Sequence, residues 1–508
     1  MTRKTIALAI IASVLYIVGF LSSYPYLLDF ENPNTPPTGA LRSVVEYELM
    51  FLSFLSFCIF LLSKTKVLRG VSYVLLLFLS LNFMLSASCF FIYKQGFNVG
   101  MTISILETNV SESLSMVRTL IYPISASLVF YIILLMLFRS GAKDKGNLSP
   151  KFRKYAVFFS LLWLVMPYAY SLKHTYIKNK GGGVMIKNTF YHLSDFLRAN
   201  NLKKELEEVK NAKVDYQLSR TDTEPVETIV VLVGESQRRQ NMSLYGYEKD
   251  TTPAELAEKA NMLLYQNAYA PAAITNLAVP IALSNINIQH YGREVKQLSD
   301  NILNVANHLG YATYWYSTQG GAQGITAIAS FAKEKKYING YDEALLPLLK
   351  QILKQGANRK KLIVLHINGS HPYCCDKYPP KEAVWQGGID ECYDNSIRYT
   401  DKIIGQIFHL LKDQNASLVY LSDHGQIKEK DTYKHGDYKE AVQVPLFIWY
   451  SASVHTKNRG EIIPETTPTS VVYPKVLELM GVKNPKTINN AGKYLKLDLQ
   501  TIDYKNLK

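Results

Sequence analysis

Acidic and imidazole side chains follow the short apolar runs of the C-terminal half of this chain. Glu235 follows one run, Asp423 and His424 follow another, and His371 and His435 come after further β-type runs. Because the carboxyl ends of parallel strands meet at one edge of a sheet, we expect these side chains to converge there. Carboxylate oxygens and imidazole nitrogens bind zinc, and they also suit other divalent metals. The pattern therefore predicts a metal site.

A candidate nucleophile, Thr275, lies in the small-residue segment 271–276. This segment predicts a turn before a short helix. A threonine hydroxyl at a helix N-terminus lies where backbone N–H groups and the helix dipole favour anions. A metal nearby would lower the pKa of that hydroxyl. From the spacing alone, however, a plain N-cap is the favoured interpretation of Thr275.

A third group of polar residues, Ser104, Thr108 and Glu112, recurs at a spacing of four. On a helix these residues share one face, which could hold a polar headgroup at a membrane surface. From the spacing alone, a solvated face of a loop helix is the favoured interpretation.

The elements that carry the candidate metal ligands belong to a predicted α/β domain over residues 227–508. Here short β-branched runs alternate with helical patterns, which favours a mostly parallel sheet flanked by helices. Residues 393–412 have apolar side chains at helical spacing. The candidate strands are Ile229–Val233, Ala312–Ser317, Leu362–His366, Leu418–Leu421 and Leu446–Tyr450.

Long apolar runs dominate the first 172 residues, and a bilayer core takes roughly 20 apolar residues in a helix. The five predicted spans are about 5–22, 47–63, 71–93, 117–138 and 154–171. No small-residue cleavage site follows the first span, so we expect it to be retained rather than removed as a signal peptide. The N-terminal part is therefore predicted to be a five-helix transmembrane domain, joined to the α/β domain by a linker with interfacial helices over residues 173–226.

Lysine and arginine in the short loops predict the orientation of these spans. The loops after the second and fourth spans are rich in both, whereas 23–46 carries only Arg42 and 94–116 carries only Lys94. Basic loops stay on the cytoplasmic side, so an odd number of spans places the α/β domain in the periplasm. The net charge of +14 suits an anionic membrane surface. We found no nucleic-acid-binding motif.

Three of the five cysteines, Cys374, Cys375 and Cys392, lie close together in the α/β domain. At most one of the adjacent pair can form a simple bridge with Cys392, which leaves an odd thiol. A bridge requires an oxidising compartment. Three free cysteines are the alternative.

The ordered motifs of nearly the whole chain resemble bacterial phosphoethanolamine transferases of the alkaline phosphatase and sulfatase superfamily. Five spans before the catalytic domain also fit this family. The matching segments are 233–239, 244–247, 251–253, 275–284, 366–371, 393–396, 422–425, 435–436 and 444–445.

The resemblance implies roles for the candidate residues. Glu235, Thr275, Asp423 and His424 match the ligands of a catalytic zinc, and Thr275 matches the nucleophile. His371 and His435 match histidines that bind substrate phosphate or a second zinc. Ser104, Thr108 and Glu112 match a helix that contacts the lipid headgroup, although lipid A–modifying members have asparagine at the position of Ser104.

The reaction implied by the resemblance is a two-step transfer at the inner membrane by a monomeric enzyme among membrane lipids. Phosphatidylethanolamine would donate phosphoethanolamine to Thr275, and an envelope glycolipid, either lipopolysaccharide core or lipid A, would accept it. Pro271 and Ile281 stand where lipid A–modifying members carry cysteines, and Gln323 stands near a lysine position. These differences disfavour lipid A as the acceptor. The segments 244–247 and 314–316 are more similar to members that act on lipopolysaccharide core sugars or periplasmic glucans.

Three other functions compete with this interpretation. A phosphoglycerol transferase of the lipoteichoic acid synthase type shares the spans, the fold and a threonine nucleophile, but typically uses manganese. A sulfatase is disfavoured because no Cys-x-Pro-x-Arg or Ser-x-Pro-x-Arg segment is present. A degenerate membrane-anchored assembly or sensor protein would have lost one of the four zinc-ligand positions, and all four are kept.

Overall fold

The chain forms two compact units in a computed structural model, Met1–Met101 with Val110–Leu197 and Thr102–Asn109 with Arg198–Lys508. The structure describes residues 3–23, 66–93, 97–107, 120–144, 154–155, 158, 185–291, 293–319, 323–355, 359–429 and 432–508.

The first unit contains long apolar helices. Two stretches, Arg69–Phe90 and Ile121–Ser140, are long and apolar enough to cross a membrane, judged by length and composition. Predicted span 47–63 and nearly all of 154–171 lie outside the described residues, so five spans remain a prediction. The helices that begin before residue 200 are α1 (Arg3–Ser23), α2 (Lys66–Tyr93), α3 (Val99–Glu107), α4 (Ile121–Asp144) and α5 (Met185–Glu208).

Helices α1, α2 and α4 pack around a shared apolar core that includes Ala12, Phe83 and Phe130. Their outward faces are also apolar, and Ile10 and Leu128 are 60% and 58% exposed. Apolar residues on both the packed and the open faces are typical of helices that a bilayer surrounds. This pattern agrees with the predicted membrane character of α1, α2 and α4.

The strands of the second unit are β1 (Ser219–Arg220), β2 (Thr228–Gly234), β3 (Met262–Tyr269), β4 (Ala312–Ser317), β5 (Glu334–Tyr337), β6 (Lys361–His366), β7 (Ala416–Ser422), β8 (Ile427–Glu429), β9 (Thr432–Lys434), β10 (Leu446–Tyr450), β11 (Ile462–Pro468), β12 (Val482–Lys483), β13 (Lys493–Leu495) and β14 (Thr501–Asp503). Eight of them form one sheet with the order β11-β3-β10-β7-β2-β6-β4-β5. Every strand of this sheet runs parallel to its neighbours except β10, which is antiparallel to both β3 and β7.

The five predicted strands are all present, as β2, β4, β6, β7 and β10. The sequence did not reveal β3, β5 and β11, which complete the sheet on its two sides. Strands β5 and β11 are at the sheet edges and have the polar sequences EKKY and IIPETTP. Edge strands tolerate proline and charge, so they lack the apolar pattern of central strands.

Helices cover the sheet, and helix α11 (Ile389–Leu411) buries the apolar face that the spacing in residues 393–412 predicted. Ile397, Ile404, Ile407 and Leu411 are fully buried in the main core. The helices of this unit after α5 are α6 (Pro253–Ala257), α7 (Thr275–Leu283), α8 (Ile302–His308), α9 (Gln323–Ala329), α10 (Leu345–Lys354), α11 (Ile389–Leu411), α12 (Lys439–Val442) and α13 (Val472–Leu479).

A disulfide joins Cys375 to Cys392, across 17 positions of sequence, and Cys374 is a buried free thiol. The bridge links the segment after His371 to helix α11. In a chain-entropy account, closing a loop of this length stabilises the fold by about 3 kcal/mol. We therefore expect the double variant Cys375→Ala, Cys392→Ala to lose about that much free energy of unfolding in urea titrations.

The control for this prediction is Cys374→Ala, which keeps the bridge and removes the thiol that could exchange with it. Reducing agent should destabilise this variant as much as it destabilises the unmodified protein. An unfolding midpoint that does not change on reduction would contradict a stabilising bridge.

Candidate metal centre

The register of three adjacent strands brings the predicted ligands to one edge of the sheet. In β2, Val233 pairs with His366 of β6, and Gly234 pairs with Ser422 of β7. The next residues, Glu235 and Asp423, therefore leave the sheet side by side at its carboxyl edge.

Close backbone packing fixes the position of Glu235. Ser370 N donates to the carbonyl of Glu235 at 2.9 Å. Gly369 has φ +48°, and a Cβ there would lie 2.7 Å from the same oxygen, so a larger residue cannot occupy this position without displacing the backbone. Ser236 also adopts a left-handed conformation, with φ 59°. Strain of this kind clusters at functional sites.

The side chains of Glu235, Asp423 and His424 meet Thr275 in a compact group, and the first three are at most 1% exposed. His424 Nε2 lies 3.2 Å from Asp423 Oδ2 and 3.6 Å from Glu235 Oε1. Thr275 Oγ1 donates to Glu235 Oε2 at 3.1 Å and lies 3.4 Å from His424 Nε2. The structure thus brings together the four residues that the resemblance implies as zinc ligands.

The donor atoms of this group fit a bound zinc ion. His424 Nδ1 lies 2.9 Å from the carbonyl of Gly425, and since a carbonyl only accepts, Nδ1 carries the proton and Nε2 offers its lone pair to the group. Asp423 Oδ1 accepts from the N–H groups of Ser236 and His424. Asp423 Oδ2 is buried without a hydrogen-bond partner among the described residues. One imidazole nitrogen and three oxygens suit tetrahedral zinc.

The electrostatics of the group favour a cation. Burial opposes protonation of His424, but Asp423 and Glu235 outweigh burial and raise the pKa of His424. A site that stabilises positive charge on this imidazole would equally stabilise a metal cation in its place.

Two further predicted residues, His371 and His435, belong to the same region. Burial lowers the pKa of His371 to about 4. Burial, together with His424 and His371, also lowers the pKa of His435 well below its usual value. His435 forms a group of possible ligand atoms with Glu235 and His424, all within 4.8 Å of one another. Both imidazoles are therefore neutral at pH 7 and available as ligands or hydrogen-bond partners.

Thr275 is the first residue of helix α7, and the N-cap residue is Ile274. Its hydroxyl points to Glu235 rather than to the backbone of its own helix. The N-cap interpretation of Thr275 therefore does not describe its hydrogen bonding.

Three residues that the sequence did not single out as site residues support Glu235. Ser236 Oγ donates to Glu235 Oε1 at 2.6 Å, and Gln319 Nε2 donates to Glu235 Oε2 at 2.9 Å. Tyr393 Oη donates to the carbonyl of Ser236 at 2.6 Å. Ser236 and Tyr393 lie in segments 233–239 and 393–396, which match the family, so these matches could have identified them as site residues. Gln319 lies after a strand end but in no matching segment, so the sequence offered no such indication for it.

The structure describes only part of the helix face that was predicted to contact a lipid headgroup. Ser104 lies in α3, and its side chain is not described, whereas Thr108 and Glu112 lie outside the described residues. The roles expected of Ser104, Thr108 and Glu112 therefore stay predictions.

Gln323, which stands near the lysine position of lipid A–modifying members, is the first residue of helix α9.

Comparison with known sequences relates the chain to named transferases. It is 39% identical over 334 residues to "Putative transferase YhbX" of Escherichia coli K12, covering 62% of this chain and 60% of that protein. The alignment thus spans less than two thirds of that relative's length. The chain is also 28% identical over 440 residues to "Phosphoethanolamine transferase OpgE" of the same strain, covering 79% of each.

Solved structures share the fold. A lipooligosaccharide phosphoethanolamine transferase A (EptA) from Neisseria meningitidis, an integral membrane protein, matches 97% of this chain and 98% of its own, with TM-score 0.67 and 16% identity. The periplasmic domain of EptC from Escherichia coli, in complex with zinc, matches 57% of this chain and 96% of its own, with TM-score 0.50 and 20% identity.

The family model for sulfatases matches residues 227–482, half of the 508-residue chain. This match covers the eight-stranded sheet and all the candidate ligands of the α/β unit. The strand order and the group of acidic and imidazole side chains at the sheet edge agree with it. The protein described here is therefore a member of the sulfatase family.

Proposed function

We propose that this protein is a zinc-dependent phosphoethanolamine transferase of the bacterial inner membrane, with its α/β unit in the periplasm. The observation that carries the proposal is the hydroxyl of Thr275, which lies between the carboxylate of Glu235 and Nε2 of His424. A half-buried hydroxyl held against a carboxylate and an imidazole at a helix N-terminus is arranged as a nucleophile. The relative OpgE, named a phosphoethanolamine transferase, supports this choice of reaction.

In the first step, a bond forms between Thr275 Oγ1 and the phosphorus of phosphatidylethanolamine. The bond from phosphorus to the diacylglycerol oxygen breaks, and that oxygen takes up a proton as diacylglycerol leaves. Glu235 accepts the hydroxyl hydrogen of Thr275, and the first N–H groups of α7 face the phosphoryl oxygens. In the second step an acceptor oxygen attacks the same phosphorus, loses its proton, and restores the Thr275 hydroxyl.

Two neutral imidazoles near Glu235 support a binding site for the transferred group. His435 Nε2 is 3.4 Å from Ser236 Oγ, next to Glu235, and His371 is close enough to help lower the pKa of His435. We assign both to hydrogen bonds with phosphoryl oxygens, or to a second zinc. Neutral rings donate and accept without adding charge, so they suit a group that is handed from one oxygen to another.

The proposed metal is zinc, held by Glu235, Thr275, Asp423 and His424. When bound, zinc would lower the pKa of the threonine hydroxyl and neutralise the charge that develops on the phosphoryl group. Support comes from the donor set and from the related EptC domain, which was crystallised with zinc. Metal analysis that finds manganese instead would favour a phosphoglycerol transferase.

The proposed donor is phosphatidylethanolamine, and the acceptor is an envelope glycolipid such as lipopolysaccharide core. Mass spectrometry of envelope glycolipids from cells with and without the protein tests this directly. We expect a glycolipid that is heavier by one phosphoethanolamine unit only in cells that carry the protein. Cells that carry Thr275→Ala are the matched control and should lack this species. A phosphoglycerol adduct, or no adduct on any glycolipid or glucan, would contradict the proposal.

A further inference from the structure

Residues 484–508, here called the clamp segment, contact both loops that carry the proposed catalytic side chains. The clamp segment lies beyond residues 227–482, the part that matches the sulfatase family. It contains the hairpin of β13 and β14. Besides contacts with Asp300 and Tyr473, the clamp segment contacts two parts of the chain near the proposed site. These are the residues on either side of helix α7 and the loop after His435.

The clamp segment binds the chain before and after helix α7, which begins with Thr275. Before the helix, Leu495 N donates to the carbonyl of Pro271 at 2.8 Å. After the helix, Asn490 Nδ2 donates to the carbonyl of Ile286 at 2.9 Å. Thr501 Oγ1 also donates to the carbonyl of Ile288 at 3.0 Å. Both ends of the helix that presents the proposed nucleophile are therefore fixed by one segment.

The same segment binds the loop that follows His435. Asp437 is 6% exposed, and its Oδ1 accepts from Tyr494 Oη at 2.7 Å. Leu497 N donates to the same carboxylate, at 3.3 Å and 3.2 Å from its two oxygens. Farther along, Lys439 N donates to the backbone oxygen of Lys508 at 2.6 Å. A buried carboxylate two residues from His435 is thus tied to the clamp segment.

Tyr494 stands between these two sets of contacts. Its side chain is fully buried, its hydroxyl binds Asp437, and the next residue binds Pro271. Its ring packs in a small apolar cluster with residues from both loops, which are Ala270, Ala273, Val442 and Val444, together with Leu507. A hydrogen bond from a buried phenol to a carboxylate is charge-assisted and stronger than a neutral one.

Two direct backbone bonds also join the two loops, from Ala270 N to the carbonyl of Val442 at 2.8 Å and from Val444 N to the carbonyl of Ala268 at 3.2 Å. Both bonds lie before residues 271–276 and after residues 435–440, so other contacts must fix the residues in between. The hydrogen bonds of Tyr494 and Leu495 fall within those intervening residues. Reacting groups must be placed within a fraction of an ångström, and a displacement of about 1 Å can lower a rate about a hundredfold.

We propose that the clamp segment sets the distance between Thr275 and His435, with Asp437 and Tyr494 as positioning residues. Neither residue contacts the reacting atoms. They act by holding the two loops against one another. The activity readout of this inference rests on the proposed transferase function.

The test uses the full chain in detergent micelles with the variant Tyr494→Phe. Phenylalanine keeps the ring in the apolar cluster and removes only the hydroxyl that binds Asp437, so the fold should persist. With a short-chain phosphatidylethanolamine as substrate, we expect kcat to fall about tenfold or more, with KM and zinc content unchanged. Hydrogen exchange should become faster in residues 271–276 and 435–440.

Two matched variants control this test. Asp503→Asn breaks the solvent-exposed ion pair with Lys493 in the same hairpin and should leave kcat and exchange unchanged. Asp437→Asn keeps an oxygen that accepts from Tyr494, so its kcat should lie between those of the unmodified protein and Asp437→Ala. This graded rescue would not follow from a general loss of stability.

Several outcomes would overturn the inference. One is an active parent enzyme whose Tyr494→Phe variant keeps both kcat and hydrogen-exchange protection. Another is an equal loss of kcat in Leu349→Ala, a cavity variant in the separate main core. If the unmodified protein transfers no phosphoethanolamine, the proposed function fails, and hydrogen exchange alone still decides whether Tyr494 orders the two loops.

Discussion

Thr275→Ala is expected to abolish phosphoethanolamine transfer while the protein stays folded. The side chain supplies the only atom that would bond to phosphorus, so we expect the transfer rate to fall by about three orders of magnitude or more. Thr275 is half-buried, and its hydroxyl bonds to Glu235 but fills no core cavity. The melting temperature of the metal-free protein should therefore change little. Initial rates measure the loss of transfer. Intact-protein mass spectrometry measures the second expected loss, that of the covalent phosphoethanolamine adduct on the protein.

Thr275→Ser is the matched control because it keeps the hydroxyl and loses only the methyl group. We expect this variant to form the adduct and to transfer at a rate within about tenfold of the parent, since only the rotamer restriction of the β-branched side chain is lost. An adduct on Thr275→Ala, at any residue, would rule out Thr275 as the nucleophile.

Asp423→Asn is expected to remove the metal. The amide oxygen can still accept from the N–H groups of Ser236 and His424, as Asp423 Oδ1 does now. The amide nitrogen would then replace Oδ2 and point N–H donors at a site that otherwise binds a cation. We expect zinc content to fall well below one per chain, and activity to fall about a thousandfold with it.

Thermal stability gives a second readout of the same prediction. A metal that binds only the folded state stabilises it, by about 4 kcal/mol at a free concentration 1,000 times Kd. Added zinc should therefore raise the melting temperature of the metal-free parent protein and leave that of Asp423→Asn unchanged. Equal zinc-induced shifts in both proteins would mean that Asp423 is not a ligand.

Asp342→Asn is the matched control for Asp423→Asn. Asp342 is also a buried carboxylate at this end of the sheet, and its oxygens accept from Thr318, Asn368 and Gly369. Within the described part of the chain, Asp342 belongs to no group of possible metal ligands. This variant should lose stability because a buried N–H group loses its acceptor. It should nevertheless bind zinc as the parent protein does.

The candidate ligands were predictable because they directly follow apolar strands. Glu235, Asp423 and His424 lie one or two residues beyond β2 and β7, and a parallel sheet aligns such positions without further information. The central strands and helix α11 were predictable for a related reason, since burial on one or both faces leaves a periodic apolar pattern. The edge strands β5 and β11 face solvent and leave no such pattern.

The contacts around these ligands could not be predicted from sequence. Gln319 and Glu235 are 84 positions apart, and Asp437 and Tyr494 are 57 apart. Neither pair has a periodic signal, because each contact depends on how two loops pack. The choice of Cys375 rather than its neighbour Cys374 for the bridge to Cys392 was left open for the same reason.

Three properties could be inferred from the sequence alone. They are the position of Glu235, Asp423 and His424 at strand ends, the α/β class of their domain, and the apolar character of the first 172 residues. These properties depend on residues that are neighbours along the chain, because such neighbours determine the secondary structure of a segment, which face of it is buried and where it ends. Two further properties became visible only in the folded chain. The hydroxyl of Thr275 bonds to Glu235 instead of capping its helix, and residues 484–508 join the loops of Thr275 and His435. These contacts link residues distant in sequence, and their geometry is set by packing.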